Sequence, residues 1–148
     1  MKPVDQRIID PGHGDCMRAC LASLLELPYE EVPHLREIQN KGEQSWFEVM
    51  FGFLRKHGYD FAGTFSKSFK NSSGEWEGRP IEAYDWEDLR SRSSGVMGFY
   101  MAGGPSPRLN CSHAIIIDAR GNLIHDPHPS RAGVLKIDHV DMIERLDK

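Results

Sequence analysis

Apolar residues recur at Met17, Cys20, Leu21, Leu24 and Leu25, the i, i+3, i+4, i+7, i+8 spacing of a helix with one buried face. Gly12 and Gly14 break any preceding element and Asp15 is a strong N-cap residue, so the pattern predicts a helix opening at Cys16. Pro28 cannot continue it and ends it near Leu27. Residues 29–33 support a short helical turn at most, and 36–44, mostly polar with Gly42, read as a loop. Ser45-Trp46-Phe47-Glu48 then matches a capping box, with Phe47, Met50, Phe51 and Leu54 on one face and Gly58 as the stop. Aromatics at that spacing are read as core rather than as a ligand groove.

From Tyr59 onward the helical period fades. Residues 59–65 fit a strand, and 66–78, rich in Ser, Lys, Asn and Gly, read as a surface loop with Trp76 as its anchor. Asp85 to Arg92 fits a short helix carrying Trp86 and Leu89, residues 95–101 a buried strand, and 103–107 a loop. Ser112 to Asp118 and Asn122 to His125, separated by Ala119-Arg120-Gly121, form a β-hairpin pattern. Val134 to Ile137 is a further strand candidate, and Val140, Ile143 and Leu146 suggest a closing amphipathic helix after Asp138. Upstream of everything, Ile8-Ile9 followed by Asp10-Pro11-Gly12 reads as extended chain and a turn. Helices come early and strands late without βαβ alternation, which predicts one α+β domain over 1–148, with N-terminal helices packed on a C-terminal antiparallel sheet.

Composition narrows the function classes. A content of 39% hydrophobic and 9% aromatic residues is ordinary for a globular chain. A net charge of −4 without a basic run argues against nucleic acid or an anionic membrane as partner. No apolar run approaches the length of a membrane span and the first residues lack a signal-peptide core, so a soluble, cytoplasmic protein is expected. Three cysteines cannot all pair within one chain, which fits a reducing compartment with at least one free thiol. Cys16, Cys20, Cys111, His113, His125 and His128 include zinc-ligand types, but there is no Cys-x-x-Cys pair, and His125 and His128 straddle Asp126-Pro127 in a Pro-rich turn. No metal and no cofactor are assigned.

The candidate chemistry begins with Cys16. A thiol on the first turn of a helix faces unpaired N–H groups and the positive dipole end, which favour the thiolate. The alternative is that Cys16 and Cys20, four residues apart, are small apolar residues on the buried edge. The hairpin supplies a second clue: a turn centred between Ala119 and Arg120 pairs His113 with Asp126, and one centred on Arg120 pairs it with Pro127. Either register leaves Asp126 near the imidazole, where a carboxylate orients the ring and stabilises its protonated form. Asp126 as a mere turn residue before Pro127 is the competing reading. The chain thus orders a nucleophile (Cys16), a base (His113) and an orienter (Asp126), the roles of a thiol hydrolase. Gln6 is an oxyanion-donor candidate or an exposed polar residue. Cys111 shares a strand face with His113, as a resolving thiol or a buried one, and Arg131 is a substrate-carboxylate binder or a solvated loop residue.

Residues 14–21 (Gly-Asp-Cys-Met-Arg-Ala-Cys-Leu), His113 to Ile117 and Ile124-His125-Asp126-Pro127 together resemble the papain-like cysteine peptidases. Within that superfamily the chain is most similar to the peptidase domains that remove leader peptides from bacteriocin precursors. It also resembles small uncharacterised proteins of bacteria and their phages, through Gly104 to Arg108, His113-Ala114 and His125 to Ser130, whereas 35–95 contribute little. The resemblance implies a papain-like fold, Cys16 as nucleophile, His113 as base, Asp126 as orienter, and a peptide or protein substrate. Two departures stand out. Met17 occupies the place of a glycine in the leader peptidases, and Gln6 lies ten residues before Cys16 where their oxyanion glutamine lies about six before its cysteine. The expected activity is hydrolysis of a peptide, isopeptide or related amide bond through a thioester. The alternative is a non-catalytic peptide- or protein-binding module on the same scaffold. Oligomeric state is left open.

Overall fold

The computed structural model describes residues 1–10, 12, 14–65, 69–70, 76–77 and 84–146. Helices α1 (Cys16–Leu25), α2 (Leu35–Lys41) and α3 (Trp46–Lys56) come first, followed by strand β1 (Tyr59–Phe65). Two short paired strands, β2 (Phe69–Lys70) and β3 (Trp76–Glu77), precede helix α4 (Trp86–Arg92). Strands β4 (Phe99–Pro105), β5 (Ser112–Asp118), β6 (Leu123–His125) and β7 (His139–Arg145) complete the chain. The surface loop expected over 66–78 is thus strand at 69–70 and 76–77, while the rest of that stretch and the Trp76 side chain lie outside the described residues.

The result is an α+β arrangement around a five-stranded antiparallel sheet of order β1-β7-β4-β5-β6. Helices α1 to α3 cover one face, where Leu21, Leu24, Leu35, Met50 and Leu54 pack with Met101, Ala114, Ile116 and Ile143. The other face packs Tyr100, Ile115, Ile117 and Val140 beneath Tyr84, Leu89 of α4 and Ile137. Each fully buried Leu or Ile side chain in these layers contributes about 2 kcal/mol by removal from water.

Four sequence expectations are corrected. The closing helix is strand β7, central in the sheet between β1 and β4, with Val140 to Glu144 all buried. Cover on both faces erases the period-two alternation that marks a half-exposed strand, and the chance spacing of Val140, Ile143 and Leu146 then imitates a helix. The stretch 36–44 contains α2, capped by the His34 imidazole, whose Nδ1 accepts from Glu37 N (3.3 Å), and closed by Gly42 at φ +68°. Its apolar stripe consists only of buried Leu35 and half-buried Ile38, too little to signal a helix.

The other two concern the crossing of β4. Gly103-Gly104-Pro105 is strand rather than loop, and Val134 to Ile137 lies across it instead of pairing as a strand. Leu135 N donates to Pro105 O (3.0 Å) and Asp138 N to Gly103 O (2.8 Å). A Cβ on Gly104 would lie 1.8 Å from Lys136 O, so only glycine admits the crossing chain there.

Residues 1–8 form an arm along α1 and the end of β6. Lys2 N donates to Ser23 O (3.0 Å), the His125 imidazole donates from Nε2 to Val4 O (2.9 Å), and Gln6 N donates to Pro127 O (3.0 Å). Asp15 does not cap α1 with its side chain. Its carboxylate turns to the arm and accepts from Arg7 N (3.1 Å), Ile8 N (2.9 Å) and the Tyr29 hydroxyl. Among the described residues no helix is long and apolar enough to cross a membrane.

Candidate active site

Cys16 opens α1 half-buried, and α1 packs on β5 and β4, which brings the thiol to the start of β5. There His113, 6% exposed, bonds Asp126 Oδ1 through Nε2 at 2.6 Å and lines the same cleft as Cys16, whose sulfur helps to raise the imidazole pKa. With Nε2 taken by the carboxylate, Nδ1 is the nitrogen left for sulfur.

The hairpin begins in the register centred on Arg120 and then leaves it. Ile117 pairs with Leu123, but after a bulge Ile116 pairs with His125. Continued toward the strand start, that register sets His113 opposite His128, and their rings lie edge to face with centroids 6.3 Å apart. Asp126 follows β6 directly, where the chain leaves the sheet, and its carboxylate swings to the imidazole.

Asp126 is 1% exposed and fully engaged. Oδ1 also accepts from His128 N (2.9 Å), and Oδ2 accepts from Gly133 N (2.7 Å). Burial alone pushes the carboxyl up, but the His113 hydrogen bond and the two backbone N–H groups outweigh it and hold the group at about 2. Burial likewise opposes charge on His113. The hydrogen bonds to Asp126 and Cys16, with the charges of both, overcome it and raise the imidazole to about 9. The arrangement therefore holds an imidazolium against a carboxylate, with a thiol on the ring's free side.

Cys20, one turn further along α1, has no exposure, and burial pushes its thiol well above the ordinary range, so it is core. The two cysteines that shared a pattern in the sequence thus separate: Cys16 faces the cleft and Cys20 the interior. Cys111 is half-buried and lines the cleft with Cys16 and His113. Arg131 is an exposed loop residue, one of the two readings made of it, and it also has a structural task. At φ +55° its guanidinium grips Asp5 through both carboxylate oxygens (2.6 and 2.8 Å) and also donates to Asp126 O, which ties the arm to the loop carrying the orienter.

Gln6 is placed at the cleft by this arm. Its Nε2 donates to Ile8 O (2.8 Å) and lies 3.9 Å from where a Cβ on Gly14 would stand. One amide proton remains unused, whereas Oε1 is buried without a partner. The two C-terminal motifs meet through Arg108, whose Nη1 donates to Ser130 Oγ (2.8 Å), while Ser106 Oγ accepts from Arg108 N and Leu109 N and shapes the turn.

Gln6, Cys16, Arg108, Cys111 and His113 border an open cleft, with Met17, Leu35, Trp46 and Met101 as its apolar surface. Its wall includes α2, and its floor includes His139 and Asp141 of β7. Sequence reasoning missed the last two because the segment was read as a helix. The signal was present: Asp141 interrupts the apolar run from Val140 to Ile143. Among the described residues no group of three or more His, Cys, Asp or Glu is arranged to hold a metal ion. No known protein family, no curated protein and no solved structure matches this chain.

Proposed function

We propose that this protein is a cysteine-dependent hydrolase of papain-like fold that cleaves a peptide, isopeptide or related amide bond. The observation that carries the reading is the buried His113–Asp126 pair at the edge of a cleft that Cys16 lines from the first turn of α1. A purely apolar role for Cys16 does not call for a charged partner beside it.

In the reactive form the Cys16 proton is already on His113 Nδ1, which completes the imidazolium, and the thiolate sulfur attacks the substrate carbonyl carbon. The resulting oxyanion is met by amide N–H groups at the start of α1 and by the unused Gln6 Nε2 proton. His113 returns the proton to the leaving amine, and the C–N bond breaks to give a thioester. Water, deprotonated by His113, then attacks the thioester carbonyl, releasing the carboxylic acid and the thiol. Asp126 keeps the ring oriented and its charged form stable throughout. The substrate is a peptide or protein segment able to lie along an apolar cleft.

The test measures alkylation of each cysteine by iodoacetamide against pH, by peptide mass spectrometry, in wild type and His113→Ala. The expected result is that Cys16 outpaces Cys111 at pH 6 and loses that lead without His113. Equal, ordinary thiol behaviour of Cys16 in both proteins would overturn the hydrolase reading and leave the cleft as a peptide-binding groove.

A further inference from the structure

The floor of the cleft carries a carboxylate that the relay does not use. Asp141 is paired with Met101 of β4, and His139, two residues earlier on the same strand face, is paired with Gly103. Asp141 is 7% exposed, and what remains exposed opens to the cleft. Among the described residues its carboxylate accepts no hydrogen bond. Its ion pair, 3.8 Å to the half-exposed His139 Nε2, is too long for one.

A carboxylate in this position carries a desolvation cost that its own chain does not offset. Burial pushes its pKa up to about 6, with His139 opposing. Neither arginine of the cleft pairs with it: Arg36 Nε donates to Gly12 O (3.4 Å) and Arg108 Nη1 to Ser130 Oγ, while Arg108 Nε is buried without a partner. Asp141 shares its sheet face with its partner Met101 and with Ile143, both packed against α1 to α3, which puts the carboxylate on the side of the sheet that carries Cys16. Around it stand Met17, Leu35, Trp46 and Met101, apolar surface suited to the methylene stem of a long side chain with a charged tip.

We propose that Asp141, flanked by His139, is a specificity-determining residue that receives a cationic Lys or Arg side chain of the substrate. The proposal deepens the hydrolase reading and rests on it for the identity of the ligand as a substrate. The stem lies on the apolar wall and the ammonium or guanidinium gives Asp141 the charge-assisted hydrogen bonds that it lacks. A metal ion is the weaker occupant, since one carboxylate and one imidazole are too few ligands to hold it tightly.

The test uses the full chain carrying Cys16→Ala, which cannot cleave an amide through a thioester, and two probes, Nα-acetyl-arginine amide and the neutral isostere Nα-acetyl-citrulline amide. Binding is followed by NMR titration. The expected result is at least tenfold tighter binding of the arginine probe, with the ratio falling to near one in Asp141→Asn. Equal binding of the two probes, or a preference that survives Asp141→Asn, would overturn the proposal. Should that variant not fold, the Asp141 carboxyl carbon of the parent protein gives the same answer: the arginine probe must shift its signal and the citrulline probe must not. The hydrolase reading is tested separately by Cys16 alkylation, so activated Cys16 with no charge preference sinks this proposal alone. Charge preference with an ordinary Cys16 sinks the hydrolase and leaves a binding groove for cationic peptides.

Discussion

Asp126→Asn is the sharpest perturbation of the relay, because it changes one atom and removes the charge that holds His113 protonated. In the wild type His113 stands at about 9 against an ordinary 6.5, a rise of about 2.5 units. At about 1.4 kcal/mol per unit the charged ring gains about 3 kcal/mol from its partners, an energy shared with Asp126 and counted once. A raised imidazole contributes its stability in full below pH 6.5 and loses it as pH climbs through 9. A depressed carboxyl contributes in full above about pH 4 and loses it as pH falls toward 2. The pair is therefore at full strength between about pH 4 and 6.5. In the variant the desolvation of His113 acts without a counter-charge, and the ring should titrate well below 9. NMR titration of the His113 ring protons checks this directly. Urea denaturation should show a stability deficit about 3 kcal/mol larger at pH 5.5 than at pH 10. A ring still titrating near 9, or the same deficit at both pH values, would refute the charge pair as the organising interaction.

Gly104→Ala brings a Cβ to 1.8 Å from Lys136 O and must displace the crossing segment, so urea denaturation should show a loss of about 3 kcal/mol or more; a loss below about 1 kcal/mol would refute the close crossing. Gln6→Ala should lower turnover of a cleaved substrate by about 10²- to 10³-fold while Cys16 alkylation stays at the wild-type rate, because an oxyanion donor acts on the transition state and not on the thiol. A parallel fall in both rates would instead make Gln6 a strut of the arm. Arg131→Ala severs the grip on Asp5, and hydrogen exchange at residues 4–8 should speed up with little change in the β4–β5 core.

The parts of the fold that sequence reasoning reached are those whose pattern is local. The α1 stripe, the Ser45 cap of α3, which accepts from Glu48 N at 3.4 Å, and the Asp85 cap of α4, which accepts from Asp88 N at 3.1 Å, are written in single stretches of chain. The parts it missed depend on partners distant in sequence. Gly103 and Gly104 look like a loop until His139 and Lys136 are seen to press on them, and both contacts come from more than thirty residues downstream. The same distance hid Asp141: a carboxylate in an apolar run reads as the polar face of a helix unless the strand is known to be central. In the site, the nearness of Asp126 to His113 was legible from the hairpin length alone. Contact between His113 and Cys16 was not, since nothing within either motif says that α1 packs on β5.

The handling of Asp15 links the fold to the proposed chemistry. A side-chain cap on α1 would occupy an N–H group of the first turn, the donors that an oxyanion at Cys16 needs. Asp15 is spent instead on Arg7 N, Ile8 N and the Tyr29 hydroxyl, with the guanidinium groups of Arg7 and Arg18 lying 3.8 and 4.0 Å from the centre of the Tyr29 ring. Two consequences follow from this one diversion. The helix start keeps its donors free of a side-chain cap, at a cost to helix stability of about 1 kcal/mol that the buried carboxylate network offsets. The arm that carries Gln6 is fixed in the same stroke, because the residues that Asp15 binds are the two that follow Gln6. A residue whose sequence context advertises a cap thus acts as the hinge pin between the nucleophile and its candidate oxyanion donor.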